Sequence, residues 1–184
     1  MQQNGVDTLL EILKYTLPAF IVLISSYLIV KKFLVTQTQR KQIALIKDTQ
    51  DITLRLRLTA YERLALFIER LHPRQLMTRV YDSEMTVRDL QHAIIITVRT
   101  EFEHNLSQQI YVSREVWETV KNVKEQELNM VNGIAKQLNP DAPAKELHTR
   151  IVDYVMTVDG ELPTDVALHV INQEAKRVMS YGTI

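Results

Sequence analysis

The run YTLPAFIVLISSYLIV, residues 15–30, holds no charged side chain in sixteen consecutive positions. No other feature constrains the chain so strongly. A bilayer core is crossed by about 20 residues of helix, and the apolar run extends outward to meet that length. Only Glu11 and Lys14 interrupt it at one end and Lys31–Lys32 close it at the other. Long side chains such as these reach the headgroup region from inside the span. The reading is a transmembrane helix over residues 10–33, with a short external N-terminus over residues 1–9. Pro18 is a candidate kink and Tyr15 a candidate interface residue.

A cleaved signal peptide is the competing reading. It requires basic residues before the apolar run and small residues at a cleavage site after it. Here no Lys or Arg precedes Lys14, and Lys-Lys-Phe-Leu follows the run. An uncleaved anchor is therefore expected.

Charge then sets direction. The net charge of zero conceals a gradient: residues 31–81 hold eleven Lys and Arg against four Asp and Glu, whereas residues 82–184 hold ten against sixteen. Lys31, Lys32, Arg40, Lys41 and Lys47 lie directly behind the apolar run. By the positive-inside bias they place the C-terminal side in the cytoplasm, and they are the candidate contacts for lipid or a partner. Nucleic acid is not expected as a partner, because a bilayer beside the basic segment accounts for it more simply.

The remainder reads as all-α. Four glycines and five prolines in 184 residues leave little material for turns. From Gln37 to Leu71 there is neither, so helix is expected to continue through a basic juxtamembrane stalk, residues 34–53. Beyond it, an antiparallel helical bundle is expected over residues 54–184. Leu54, Leu58, Tyr61, Ala65 and Ile68 recur at four-three spacing, the pattern of a helix facing a partner. That phase meets Asp51 and Lys47 further back, which favours a stalk entering a buried helix over a continuous coiled coil. His72-Pro73 ends this helix. Thr86 with Asp89 predicts a helix start near residue 86, with Val87, Leu90, Ile94, Val98 and Phe102 as its core stripe. Ser113 caps a further helix reaching Leu138, and two more are expected over 143–157 and 163–180.

The stretch EFEHNLSQQIYVS, residues 101–113, is where chemistry is most expected. Glu101 and His104 share a helix face at the spacing used by helical di-iron sites. Glu69 and His72 repeat it, with Glu62 two turns below. A metal set of Glu62, Glu69, His72, Glu101 and His104 is one reading. The other is structural: Glu101 falls on the buried stripe, where a carboxylate needs a partner, and His104, Asn105 and an arginine such as Arg63 are at hand. The structural reading is preferred, with no catalytic residue and no cofactor expected. Zero cysteines exclude disulfides, thiolate nucleophiles and cysteine-ligated zinc. No glycine-rich loop offers a phosphate cradle.

RLTAYERLALFIERLHP (57–73) and RTEFEHNLSQQIYVSREVWETVKNVKEQ (99–126), behind a single anchor, resemble an uncharacterised family of single-pass membrane proteins of Bacteroidota. The resemblance runs over most of the chain beyond residue 30. It implies an inner-membrane protein with a cytoplasmic helical domain, and it transfers no activity or site residue. The expected role is a non-catalytic scaffold or accessory subunit, with a metal-binding enzyme or sensor as the alternative. Expected partners are the bilayer and other inner-membrane or cytoplasmic proteins. A homo-oligomer is also open, through the acidic distal surface of one copy and the basic stalk of another.

Overall fold

The structure, a computed structural model, describes residues 3–157 and 160–181, and all their side chains except those of residues 3–10, 19 and 181. The external N-terminus expected over residues 1–9 thus falls outside the described side chains, and residues 1 and 2 outside the description altogether. Six α-helices appear among the described residues: α1 Gln3–Leu71, α2 Pro73–Val80, α3 Val87–His104, α4 Arg114–Ala135, α5 Ala144–Thr157 and α6 Pro163–Tyr181. A short 3-10 helix, Leu106–Ile110, joins α3 to α4. Among the described residues there is no strand, only an isolated bridge between Thr86 and Pro143. The expected all-α class is what the chain adopts.

Two compact units divide the chain, Met1–Gln50 and Asp51–Ile184. In the first, every described residue is helical. Pro18 lies inside it, and from Glu11 to Gln50 every described side chain but the half-buried Thr36 is exposed. Its most apolar 18-residue window has a mean hydropathy of 1.9 and is 0% buried. The helix is long and apolar enough to cross a membrane.

The second unit has a core. The C-terminal part of α1 contributes Ala60, Tyr61, Leu64, Phe67, Ile68 and Leu71, each at most 2% exposed. Burying one such Leu, Ile or Phe side chain contributes roughly 1.5–3 kcal/mol. The α3 stripe is buried at Val87, Leu90, Ile94 and Val98, with Phe102 packed against it. Phe102 stacks on Trp117 of α4 at 5.5 Å between ring centroids, and lies 6.0 Å from Phe67 of α1. These rings knit three helices together.

Local chemistry explains the helix ends. Thr86 and Asp89 form a reciprocal capping box at α3: each side chain accepts the other's backbone N–H. The Ser113 hydroxyl accepts the Val116 N–H and caps α4. At the corner after Leu71, His72 Nδ1 accepts the Arg74 N–H, and Pro73 occupies the first helical position, where a missing N–H costs nothing. The chain therefore resumes as α2 immediately, an element the sequence reading omitted. Helix α4 stops at Ala135, short of Leu138. Its last turns tighten, with Gln137 and Leu138 N–H groups bonding carbonyls three residues back, because the residue before Pro140 disfavours helix. The Pro140 and Ala142 carbonyls then accept the Arg88 and Val87 N–H groups, satisfying donors at the start of α3.

Candidate functional site

The polar joint over residues 101–113 is built from the end of α3, the 3-10 helix and the entry to α4. Glu101 lies on the edge of the α3 core stripe with its side chain 18% exposed. Two guanidiniums meet it: Arg79 Nη1 at 2.7 Å and Arg70 Nη2 at 3.2 Å, both on Oε1. Arg79 also donates to the Arg70 carbonyl at 3.2 Å, which fixes the fork. Asn105 Nδ2 donates to the Glu101 carbonyl at 2.8 Å. The requirement that Glu101 find a partner is met by Arg70 and Arg79. Arg63, named from the sequence, instead lines the adjoining groove with Leu66, Phe67, Arg70, Glu101, His104 and Asn105. That groove is open to solvent and small, about 210 Å³.

The far end of the joint is tied by a residue the sequence reading passed over. Glu174 of α6 accepts the Ser113 N–H at 3.1 Å on Oε1, the Ser113 hydroxyl on Oε2, and the Tyr61 hydroxyl at 2.5 Å. Arg57 donates to the Tyr61 hydroxyl and to the Tyr111 carbonyl, each at 3.2 Å. One carboxylate thus gathers α1, the joint and α6. Burial opposes ionisation of Glu174, but the hydrogen bonds from Ser113 and Tyr61 and the Arg57 charge outweigh it, holding its carboxyl below the usual range. Tyr61 moves the other way: burial first, then its bond to Glu174, raises its phenol. The signal for Glu174 was present in the sequence. Ala167, Ile171, Glu174 and Val178 follow four-three-four spacing, which puts the carboxylate on the buried stripe of α6.

A third carboxyl is buried without such support. Glu127 of α4 is 4% exposed, and its Oε2 has no hydrogen-bond partner among the described residues. Burial pushes its carboxyl up to about 7. The Thr164 hydroxyl of α6 is likewise buried and unpartnered. Glu127 also sits in phase with Val116, Val120 and Val123 on the inner face of α4.

The residues of the metal reading are placed differently from one another. Glu62 and Glu69 lie exposed on α1, His72 caps α2, Glu101 carries its two arginines, and His104 is exposed beside the groove. Among the described residues no three His, Asp or Glu side chains come together as a metal would require. The expected contact residues Lys31, Lys32, Arg40, Lys41 and Lys47 are all exposed on α1. His148 lies against Tyr81 at 4.8 Å between centroids, the rings tilted by 47°, and His169 bonds Gln173 within α6. Chemically, the joint ties Glu101 and Ser113 to partners on other helices. Ser113, its most nucleophile-like side chain, donates to a carboxylate and caps a helix.

No curated protein and no solved structure matches the chain. Residues 7–178 match a family of unknown function, DUF7935. This match takes in the apolar run, the joint, α2 to α5 and most of α1 and α6, and the chain belongs to that family.

Proposed function

We propose that this protein is a membrane-tethered, non-catalytic interaction module. Residues 10–33 anchor it in the inner membrane, and the helical domain faces the cytoplasm and binds other proteins. The observation that carries this reading is the wholly unburied apolar window of α1, mean hydropathy 1.9, in a chain whose second unit packs apolar stripes of α1, α3 and α4 into a core. Glu101 and Ser113 of the joint are tied to Arg70, Arg79 and Glu174 on other helices, which supports a structural and docking role over a reactive one.

The basic residues extend the reading to the lipid surface. At 1.5 Å per residue along the membrane normal, Arg40 and Lys41 lie roughly 10–12 Å beyond Phe33, and Lys47 about 21 Å beyond it. The screening length at physiological salt is about 8 Å. Lys31 and Lys32, at the end of the span, therefore feel anionic headgroups most, at about 1 kcal/mol for each basic group close to the surface, and Arg40 and Lys41, just past one screening length, feel them less. Lys47 lies too far out to add much.

The test uses the absence of cysteine. Single cysteines replace Asn4 and Glu84 in otherwise intact chains, which are expressed in cells and exposed to a membrane-impermeant maleimide. The expected result is a chain that resists alkaline extraction from membranes and is labelled from outside at position 4 only. Extraction into the soluble fraction overturns the anchor, and outside labelling at position 84 overturns the orientation.

A further inference from the structure

The part of α1 within the helical domain carries two seams with the same spacing. Leu54, Leu58, Tyr61, Ala65 and Ile68 turn toward the core. Ile52, Leu56, Thr59, Arg63 and Leu66 repeat the four-three pattern two residues earlier, which is about 200° around the helix. This second seam has no cover: Ile52 is 61% exposed, Leu56 46% and Leu66 55%. A soluble domain has no need of apolar side chains at heptad spacing on its outer face.

We propose that this outer seam is where a second copy of the same chain packs, helix against like helix and parallel. Three features select that occupant. Four-three spacing fits a helix of the same pitch, and a copy of α1 presents it residue for residue. Charge fits as well. Glu62 and Arg63 are exposed and have no ion-pair partner within the chain among the described residues. In a parallel pair each seam side chain inserts into a hole of four residues on the facing helix, and the hole for Arg63 includes Glu62 of the second copy. The two-fold repeats this contact on the other side, so each Arg63 meets one Glu62, and the two glutamates offset the two arginines that share the layer. Thirdly, three apolar side chains per copy fall well short of the ~800 Å² per partner that freely diffusing proteins bury in a stable interface. Association then depends on copies already confined to one membrane and held in one orientation, and to that extent the proposal rests on the tether proposed above.

The native chain lacks cysteine, so Ile52→Cys, Leu56→Cys and, as an exposed control on α4, Asn122→Cys are each made singly in the full chain. Oxidative cross-linking in native membranes is expected to give a disulfide dimer at 52 and 56, with no more than background at 122. Equal yields at all three positions, or none at 52 and 56, overturn the proposal. In the Leu56→Cys chain, Arg63→Glu places like charges together and is expected to cut the dimer about tenfold or more. Adding Glu62→Arg restores it. Both side chains are exposed, so neither change threatens the fold; a dimer unmoved by either overturns the parallel register. The same membranes are washed at alkaline pH. A washed-out chain sinks the tether, whereas a retained chain with no dimer at 52 or 56 sinks the seam.

Discussion

Two stretches of α1 are both rich in apolar residues and treat them differently. From Phe20 to Ile24 five apolar side chains follow one another around the whole circumference, all of them 45% exposed or more. From Ala60 to Leu71 the apolar positions recur every three or four residues, and six of them are at most 2% exposed. An all-round apolar surface has no preferred side and asks for an apolar medium, whereas a stripe asks for a partner on one side. One helix thus carries two different demands, and the pattern tells them apart where composition does not.

The sharpest way to break this contrast is to charge the all-round segment. Replacing Val22 and Ile24 together by arginine opposes membrane insertion by roughly 5–7 kcal/mol. The expected outcome is transfer of the chain from the membrane pellet to the supernatant, with the melting of the helical domain unchanged by circular dichroism. Within the striped segment, neighbouring leucines should differ. Leu64→Ala, at 0% exposure, is expected to cost about 2–5 kcal/mol. Leu66→Ala, at 55%, should stay within about 0.5 kcal/mol in detergent-dispersed chains. Urea titrations of the two variants measure the difference directly.

The carboxyls of the buried Glu127 and the half-buried Glu174 sharpen the comparison further, because they pull stability in opposite directions with pH. Glu127 sits at about 7 in the folded chain, above roughly 4.3 for an unfolded glutamate. Below that lower value both states hold the proton. Between the two values only the unfolded chain ionises, so Glu127 weakens the fold as pH rises and its effect levels off above about 7. Glu127→Gln is expected to stabilise the domain by up to about 3 kcal/mol at pH 8 and to remove that slope. Glu174, held low, contributes stability above the usual carboxylate range that is lost as pH falls through its folded value. Its smaller effect is measured with Glu174→Ala, which leaves Tyr61 and Ser113 without their acceptor and is expected to cost about 1–3 kcal/mol.

Much of the fold was legible because its signals are local. Thr86 with Asp89, Ser113, and the break at His72-Pro73 mark helix ends through chemistry within three residues. Helix α2 escaped because proline was read as a stop, although it also suits the first turn of a new helix. The joint was located, but its partners were not. Arg70 and Arg79 meet Glu101 from sites 31 and 22 residues away in the sequence, and spacing within one helix carries no record of that. Glu127 and Glu174 were visible as acidic residues on apolar stripes. What each does depends on whether another element brings donors, as Tyr61 and Ser113 do for Glu174 and no described side chain does for Glu127 Oε2.

Trp117 is the chain's one tryptophan, 8% exposed and stacked on the ring of Phe102, which also lies 4.3 Å from the Lys124 ammonium. Phe102 follows Glu101 directly in the chain. Any ligand or protein that displaces the end of α3 must therefore alter the surroundings of a single indole, whose emission wavelength reports the event without an added dye. The molecule carries a built-in optical gauge at the joint most suited to being touched, and a binding titration needs only ultraviolet light and a candidate to add.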